Sequence, residues 1–161
     1  MKYIETGKTR SDAKRRWKFM VDDEDYGFLN QFFWQVDREG IIKTRSKENG
    51  HVLLTHLLMK PPKGFEIDHK DRNRLNNQKS NLRFATSAQN KMNRGPRKDC
   101  KSGYKGVSWH KQRKKWTTRI KIKNKYLFLG LFEDIKQAAF VYNNAAKKYF
   151  REFAYLNNLL E

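Results

Sequence analysis

Asp68 and His69 are adjacent residues at the end of a predicted short strand, and they offer the chemistry of a carboxylate beside an imidazole. Asn81 lies twelve residues after His69, and Asn90 lies nine residues further on. In a strand–loop–strand–helix hairpin, Asp68 on the strand and Asn90 on the helix can converge. Both offer hard oxygen ligands, which suit Mg²⁺ and leave room for waters and a phosphate oxygen.

His69 is suited to a different part of this chemistry. Adjacent residues on a strand point to opposite faces, so His69 can approach a phosphate without binding metal, as the base that deprotonates an attacking water. Asn81 is better placed to hydrogen-bond the loop backbone. The opposing interpretation is ordinary turn chemistry, because Asn and Asp satisfy their own backbone in turns. For the Asp–His pair taken alone, turn chemistry is the favoured interpretation.

The elements that must position these residues are predicted from apolar patterning and turn signals. Residues 17–60 are predicted to be mainly β structure, with a turn at 37–40. The segment 51–59 fits a strand, a helix, or one after the other. A short strand is then predicted at residues 65–69 and a second at 81–84, with a polar loop between them. A helix is predicted to begin at residue 86 or 87.

The string from Ile67 to Arg83, continued by Gln89 to Asn93, closely resembles the ββα-metal motif of HNH endonucleases, in the phage and intron homing branch. The resemblance covers about residues 53–93. It implies that Asp68 and Asn90 bind one metal ion, Mg²⁺ or Mn²⁺, that His69 is the general base, and that Asn81 is the structural asparagine. The implied reaction is hydrolysis of a DNA phosphodiester bond, leaving a 5′ phosphate and a 3′ hydroxyl.

Two further histidines precede this motif. His56 matches an upstream histidine common in that branch, and packing, phosphate contact and catalysis all remain open for it. His51 is expected to be a solvent-facing strand residue. A zinc site formed by His51 and His56 has no Cys or carboxylate partner in the sequence, so it is rejected.

Charge predicts a polyanionic partner, most simply nucleic acid. The 161 residues include 36 Lys and Arg against 17 Asp and Glu, a formal net charge of +19. Between Lys91 and Gly130 there are 14 basic residues and one acidic residue. The single Cys100 excludes an internal disulfide framework. The chain shows neither an apolar run long enough for a membrane span nor a signal-peptide stretch, so a soluble intracellular protein is predicted.

A basic sheet is predicted beyond the Gly- and Pro-punctuated linker at residues 96–103. Three strand-like runs precede a helix at 135–150. Alternation directs Val107, Trp109, Trp116, Thr118, Ile120, Ile122, Leu127 and Leu129 inward. The outward face is basic with two aromatics and is wide enough to enter a major groove as a β-ribbon. The alternative is a solvated lysine-rich face, which leaves outward Tyr126 and Phe128 unexplained.

The predicted DNA contacts lie on this face and in the segment before it. They are Lys105, Ser108, His110, Arg113, Lys114, Arg119, Lys121, Lys123, Tyr126, Phe128, Arg94, Arg97 and Lys98. Residues 102–157 resemble the plant ethylene-response-factor (APETALA-type) DNA-binding domain, on motifs such as Gly103–Trp109 and Leu129–Phe132. The first strand lacks that family's arginines, so its base specificity is not transferred.

Together these features predict an α+β protein. Residues 1–95 form an N-terminal β-rich region with a ββα-metal HNH nuclease motif, 96–103 a basic linker, and 104–161 a three-stranded antiparallel sheet packed on one helix. The predicted function is a homing-type DNA endonuclease that binds double-stranded DNA as a monomer in bacterial cytoplasm during phage infection, with no small-molecule cofactor beyond the metal. The alternatives are a non-cleaving DNA-binding protein on a nuclease scaffold and a basic RNA-binding protein.

Overall fold

The computed structural model describes residues 1–6, 17–46 and 50–160. They form two compact units, Met1–Ser87 and Ala88–Glu161. Both units combine strands and helices, in agreement with the predicted α+β class. The linker predicted at residues 96–103 stays a prediction.

The first unit contains three small antiparallel sheets. Its elements are β1 (Lys2–Glu5), β2 (Lys18–Val21), α1 (Asp23–Leu29), β3 (Gln35–Val36), β4 (Ile42–Ser46), β5 (Gly50–Leu53), α2 (Leu54–Leu58), β6 (Glu66–His69) and β7 (Leu82–Ala85). The sheets are β1–β2, β3–β4–β5 and β6–β7.

Two sequence predictions for this unit change in detail. The β structure predicted for residues 17–60 is interrupted by α1, whose first turn holds three acidic side chains that complement the positive end of a helix. Directly before the turn predicted at residues 37–40, the β structure is limited to the two residues of β3. The segment 51–59 is a strand followed directly by a helix, one of the alternatives left open by the sequence.

The core of the first unit is built around Trp34, which is 1% exposed. Its indole Nε1 donates a hydrogen bond to the Leu29 carbonyl at 2.8 Å, and its ring meets Phe19 edge-on at 5.9 Å between centroids. Since Phe19 lies on β2, this core fixes β2 firmly. The buried members of the cluster are Ile4, Phe19, Val21, Leu29, Trp34, Ile42 and Leu54.

The polar loop between β6 and β7, residues 70–81, is attached to β2 through the backbone. The Met20 N–H donates to the Leu75 carbonyl at 2.7 Å, and the Asn77 N–H donates to the Met20 carbonyl at 2.8 Å. The Asp22 carboxylate accepts from the Lys79 N–H at 2.7 Å. The loop is therefore held to β2 at its middle and to Asp22, the residue that follows β2, near its end.

The second unit packs one long helix on a three-stranded antiparallel sheet, with strand order β10–β9–β8. Its elements are α3 (Ser87–Asn93), which begins at the unit boundary, β8 (Val107–His110), β9 (Lys115–Ile122), β10 (Lys125–Phe132) and α4 (Ile135–Phe150). Ile120 from β9 packs against Tyr142 and Ala146 from α4. Gly106 has a φ of +79° and lies against the Tyr142 ring, so a side chain at that position would collide with it. In the described ranges no helix is long and apolar enough to cross a membrane.

Candidate functional site

Asp68 lies near the end of β6, directly across the hairpin from Arg83 on β7. Its side chain is only 6% exposed, and its Oδ2 accepts hydrogen bonds from Arg83 Nε at 2.9 Å and Nη2 at 2.7 Å. A buried carboxylate is costly unless it is paired and hydrogen-bonded. Arg83 therefore supplies the charge partner that lets an ionised Asp68 stay inside the hairpin.

His69 is the last residue of β6 and is half-buried. Its Nε2 lies 3.1 Å from Oδ1 of Asn77, a residue with no exposed surface. The amide nitrogen of Asn77 donates to the Arg74 carbonyl at 3.0 Å, which sets the orientation of the amide and turns Oδ1 toward the imidazole. Because Oδ1 only accepts, Nε2 of neutral His69 carries the proton and the lone pair lies on Nδ1.

The electrostatic environment of His69 favours its neutral form. Burial lowers the pKa of His69 below the ordinary value of 6.5, although the hydrogen bond to Asn77 and the nearby Asp71 and Asp68 carboxylates act in the opposite direction. Arg74 also lowers this pKa through its positive charge. A neutral imidazole at neutral pH is the form that can accept a proton.

Asn81 ties the loop together through its side chain. Its Oδ1 accepts from the Asp71 N–H at 3.1 Å, and its Nδ2 donates to Asp71 Oδ1 at 2.9 Å and to the Asn76 carbonyl at 2.8 Å. The Lys70 N–H meanwhile donates to the Asn81 carbonyl at 2.9 Å. These contacts brace the backbone that follows His69, the kind of role that the sequence suggested for Asn81.

Asn90 lies in the middle of α3, within the second unit. Its convergence with Asp68 on one metal ion therefore stays a prediction. In residues 1–6, 17–46 and 50–160, no three His, Cys, Asp or Glu side chains are grouped so that they could hold a metal ion. A site of one carboxylate and one amide oxygen uses a different donor set. That donor set is of the kind that suits Mg²⁺, which binds through few protein oxygens and keeps several waters. The two hydrogen bonds from Arg83 fix the orientation of the Asp68 carboxylate.

Sequence reasoning missed Asn77 and Arg83. Arg83 could have been found by pairing the two short strands in register, since that places it opposite Asp68. Asn77 had no such signal, because the loop contains several asparagines and only the folded backbone shows which of them points inward.

His51 and His56 lie outside this group of contacts. His51 is exposed on β5, opposite Arg45 of β4, and it matches the solvent-facing position expected for it. His56 is exposed on the short helix α2.

The outward face of the second unit's sheet is basic and aromatic. Tyr126 and Phe128 are 65% and 62% exposed, as the alternation predicted. The Arg119 guanidinium and the Lys121 ammonium lie 5.2 Å and 5.7 Å from the centroid of the Tyr126 ring. This stacks cations and a ring on one exposed surface, an arrangement suited to phosphates and bases.

Two inward assignments on this sheet are wrong. Trp109 is 48% exposed and packs edge-on against Trp116, with 5.0 Å between ring centroids. Leu127 is 40% exposed. β8 is only four residues long, so it ends beside Trp109. The buried sheet residues that contact α4 are Val107 on β8 and Thr118 and Ile120 on β9.

The remaining predicted DNA contacts occupy varied surroundings. Arg94, Arg97, Lys98, Arg113, Lys114 and Lys123 are exposed, and Ser108 and His110 are half-buried. The His110 Nδ1 accepts a 3.4 Å hydrogen bond from the Arg113 N–H in the turn after β8. Lys105 differs from all of these, because its ammonium donates to three backbone carbonyls of its own unit.

Comparisons with known proteins show the family to which the chain belongs. A family model described as HNH endonuclease matches residues 60–92, which include Asp68, His69 and Asn90. An uncharacterized HNH endonuclease, L560, of Acanthamoeba polyphaga mimivirus is 32% identical over 152 residues, covering 86% of this chain and 74% of that protein. The chain belongs to the HNH endonuclease family. Protein 3.8 of Escherichia phage T7 is 42% identical over 64 residues, covering 40% of this HNH chain but only 53% of the phage protein.

The family model and the relatives each match only part of a chain. The chain spans about half of the T7 protein and about three quarters of the mimivirus protein. No solved structure matches it. The family match ends at residue 92, so the resemblance of residues 102–157 to the ethylene-response-factor domain gains no support from it and stays a prediction.

Proposed function

We propose that this chain is a DNA endonuclease that hydrolyses phosphodiester bonds, with His69 as the general base. One observation carries the proposal. Inside the segment that matches the HNH family, a half-buried histidine is held by Asn77 so that its Nδ1 carries the lone pair, next to the buried carboxylate of Asp68. Such a base needs a fixed orientation and a neutral ring, and His69 has both.

The proposed reaction begins when Nδ1 of His69 accepts a proton from a water molecule whose oxygen attacks the phosphorus. The bond to the 3′ oxygen breaks, and this oxygen takes a proton from solvent water, which leaves a 5′ phosphate on one fragment and a 3′ hydroxyl on the other. The imidazolium that forms is stabilised by the nearby Asp71 and Asp68 carboxylates, which favour its positive charge.

Asp68 and Asn90 are the residues that would hold one divalent ion, Mg²⁺ or Mn²⁺. When bound, that ion supplies electrostatic stabilisation for negative charge on the leaving 3′ oxygen. Arg83 keeps the Asp68 carboxylate oriented for this task through its two hydrogen bonds. No further small-molecule cofactor is part of the proposal.

The sheet of the second unit is proposed to dock the enzyme on double-stranded DNA. Its exposed Arg119, Lys121, Tyr126 and Phe128 support this assignment. Lys and Arg contacts to phosphates would supply affinity, and contacts to base edges would supply specificity. We propose a homing-type, site-specific enzyme that acts as a monomer, and its T7 relative supports a setting in phage-infected bacteria.

The deciding experiment is cleavage of supercoiled plasmid carrying DNA from the source genome, with Mg²⁺ or with EDTA. Wild type is compared with His69→Ala and Asp68→Ala, and His51→Ala on the exposed strand β5 serves as the matched histidine control. We expect Mg²⁺-dependent nicking or linearisation that falls about 100- to 10,000-fold in His69→Ala. The control variant should cleave like wild type.

The rival function is a DNA-binding protein that retains the scaffold without turnover. The ion pair between Asp68 and Arg83 is the observation in its favour, because a purely structural role could also explain a paired carboxylate. Tight DNA binding without any cleavage of source DNA by wild type would support the rival. Cleavage that survives both His69→Ala and Asp68→Ala would show that the reaction uses other residues.

A further inference from the structure

Helix α3 carries Asn90 but is poorly equipped to stand alone. It has seven residues, and isolated helices of fewer than about 12 residues are marginal in water. Its last carbonyls have no partner within the helix and need donors from elsewhere. The stability of the segment that holds Asn90 must therefore come from its surroundings.

Those surroundings are supplied by the C-terminal unit, most directly by Lys105. The Lys105 Nζ donates to the carbonyls of Lys91 at 3.2 Å, Met92 at 2.6 Å and Arg94 at 2.6 Å. An ammonium group has three N–H donors, so it can make these three bonds at the same time. A cation at this position also complements the negative end of the helix dipole.

The Lys105 backbone is itself held in place from the far end of the unit. Asn157 accepts from the Lys105 N–H at 2.7 Å and donates to the Lys105 carbonyl at 3.1 Å through its side-chain amide. Asn143 on α4 exchanges two further hydrogen bonds with the Asn157 backbone, at 2.9 Å and 2.7 Å. A continuous hydrogen-bonded path thus runs from α4 through Asn157 and Lys105 to the end of α3.

Contacts of Met92 and Tyr155 also join α3 to the rest of the second unit. Met92 of α3 packs against the core that contains Ile120 and Tyr142. The Tyr155 N–H donates to the Met92 carbonyl at 3.4 Å, and the Tyr155 ring lies 5.6 Å from the Lys105 ammonium. A side chain at Gly95 would come within 3.2 Å of that ring, so glycine permits the close approach.

We propose that Lys105 is a positioning residue, which fixes α3, and with it Asn90, as part of the C-terminal unit instead of contacting DNA. The consequence is that the unit proposed to bind DNA also supplies and holds one half of the proposed metal-ligand pair. The inference rests on the proposed function through Asn90 as a metal ligand.

The test compares Lys105→Met, which keeps an unbranched stem without the ammonium, with Lys121→Met on the exposed face of the sheet. Hydrogen exchange followed by mass spectrometry reports on the amides of α3 and α4, and cleavage is titrated with Mg²⁺. We expect Lys105→Met to speed exchange in α3 but not in α4, and to raise the Mg²⁺ concentration for half-maximal cleavage about 10- to 100-fold. The salt dependence of DNA binding should stay as in wild type.

Lys121→Met should show the opposite pattern. Its α3 exchange and Mg²⁺ requirement should match wild type, while the slope of log affinity against log salt falls by about 1. The proposal is overturned if Lys105→Met lowers the salt slope and leaves α3 exchange unchanged, because Lys105 would then be a DNA contact.

A general loss of folding in Lys105→Met, or a wild type that does not cleave DNA, can each be distinguished from the role of Lys105. If Lys105→Met also removes protection from α4, Lys105→Arg decides, since it retains a charged donor: protected α3 amides support the proposal and rapidly exchanging ones overturn it. If wild type does not cleave DNA, the proposed function fails, but α3 exchange and the salt slope still decide whether Lys105 holds the helix.

Discussion

The loop at residues 70–81 and the sheet face of the second unit use charged and polar side chains in opposite ways. In the loop and its flanking strands, the side chains of Asn77, Asn81 and Asp68 are satisfied by specific internal partners. On the sheet, Arg119 and Lys121 remain exposed beside an aromatic ring. Inward-facing polar groups can fix a reacting group in one orientation, whereas exposed cations can adapt to an extended polyanion.

This contrast also separates two kinds of residue that look alike in sequence. Arg83 and Arg119 are both strand arginines, yet one is paired inside a hairpin and the other faces solvent. Lys105 and Lys121 differ in the same way. Substitutions at matched residues therefore test whether the two regions divide stability and binding as proposed.

The largest expected effect is at Arg83. Arg83→Met removes the positive charge that pairs with the buried Asp68 carboxylate, which should lower the free energy of unfolding by about 3–5 kcal/mol. Arg119→Met, its exposed counterpart, should change it by no more than about 0.5 kcal/mol. Chemical denaturation of both variants measures the difference, and equal stabilities would remove the distinction between the two arginines.

Asn77 should give the next largest effect. Asn77→Leu takes the acceptor from His69 Nε2–H and the donor from the Arg74 carbonyl, so stability should fall by about 1–3 kcal/mol. Cleavage at saturating DNA should fall about 10- to 100-fold, the loss seen when the partner that orients a functional histidine is removed. Asn158→Leu, at an exposed position, is the control. Loss of stability without loss of turnover would mean that Asn77 only supports the fold.

On the sheet, smaller and purely binding effects are expected. Arg119→Ala and Lys121→Ala should each weaken DNA binding and reduce the salt slope by about 1, with turnover at saturating DNA unchanged. Lys136→Ala, exposed on α4, should leave the slope as it is. A loss of turnover in the sheet variants would show that the sheet acts on chemistry as well as docking.

The smallest effect concerns pH. The folded pKa of His69 lies below 6.5 because burial disfavours the charged ring. Cleavage should therefore persist at pH 6.5 and fall only as the pH drops through that lower pKa. The unfolded chain takes up this proton first, so the contribution to stability is full above about pH 6.5 and is lost as the pH falls below it. A rate profile with its acid limb above pH 6.5 would contradict the buried environment of His69.

Sequence patterns predicted the elements best where local signals were strong. The helix predicted at residues 135–150 is α4, with the same bounds, because its apolar residues recur at helical spacing over four turns. The short strands beside the polar loop were also found, within a residue or two at each end. Helix α1 was missed because a run of acidic residues carries no apolar period.

The candidate site was predicted less evenly. Asp68, His69, Asn81 and Asn90 were predicted from a recognisable motif, and the family match spans all four, while their roles stay predictions. Their partners were not identified, since Asn77 is one of several loop asparagines and only the attachment to Met20 turns it inward. Lys105 was assigned to DNA by its charge, while the structure directs its ammonium to the end of α3.

The amino-acid sequence by itself determined the charge, the likeness to HNH endonucleases, helix α4 and the two short strands beside the polar loop, because these depend on composition and on residues close together in the chain. Only the tertiary structure decided which asparagine orients His69, which arginine neutralises Asp68 and which lysine holds α3. The carbonyls that accept from the Lys105 ammonium lie 11 to 14 residues away along the chain. Asn157, which hydrogen-bonds the Lys105 backbone, lies 52 residues away. Such contacts arise from packing at a distance, and no local pattern encodes them.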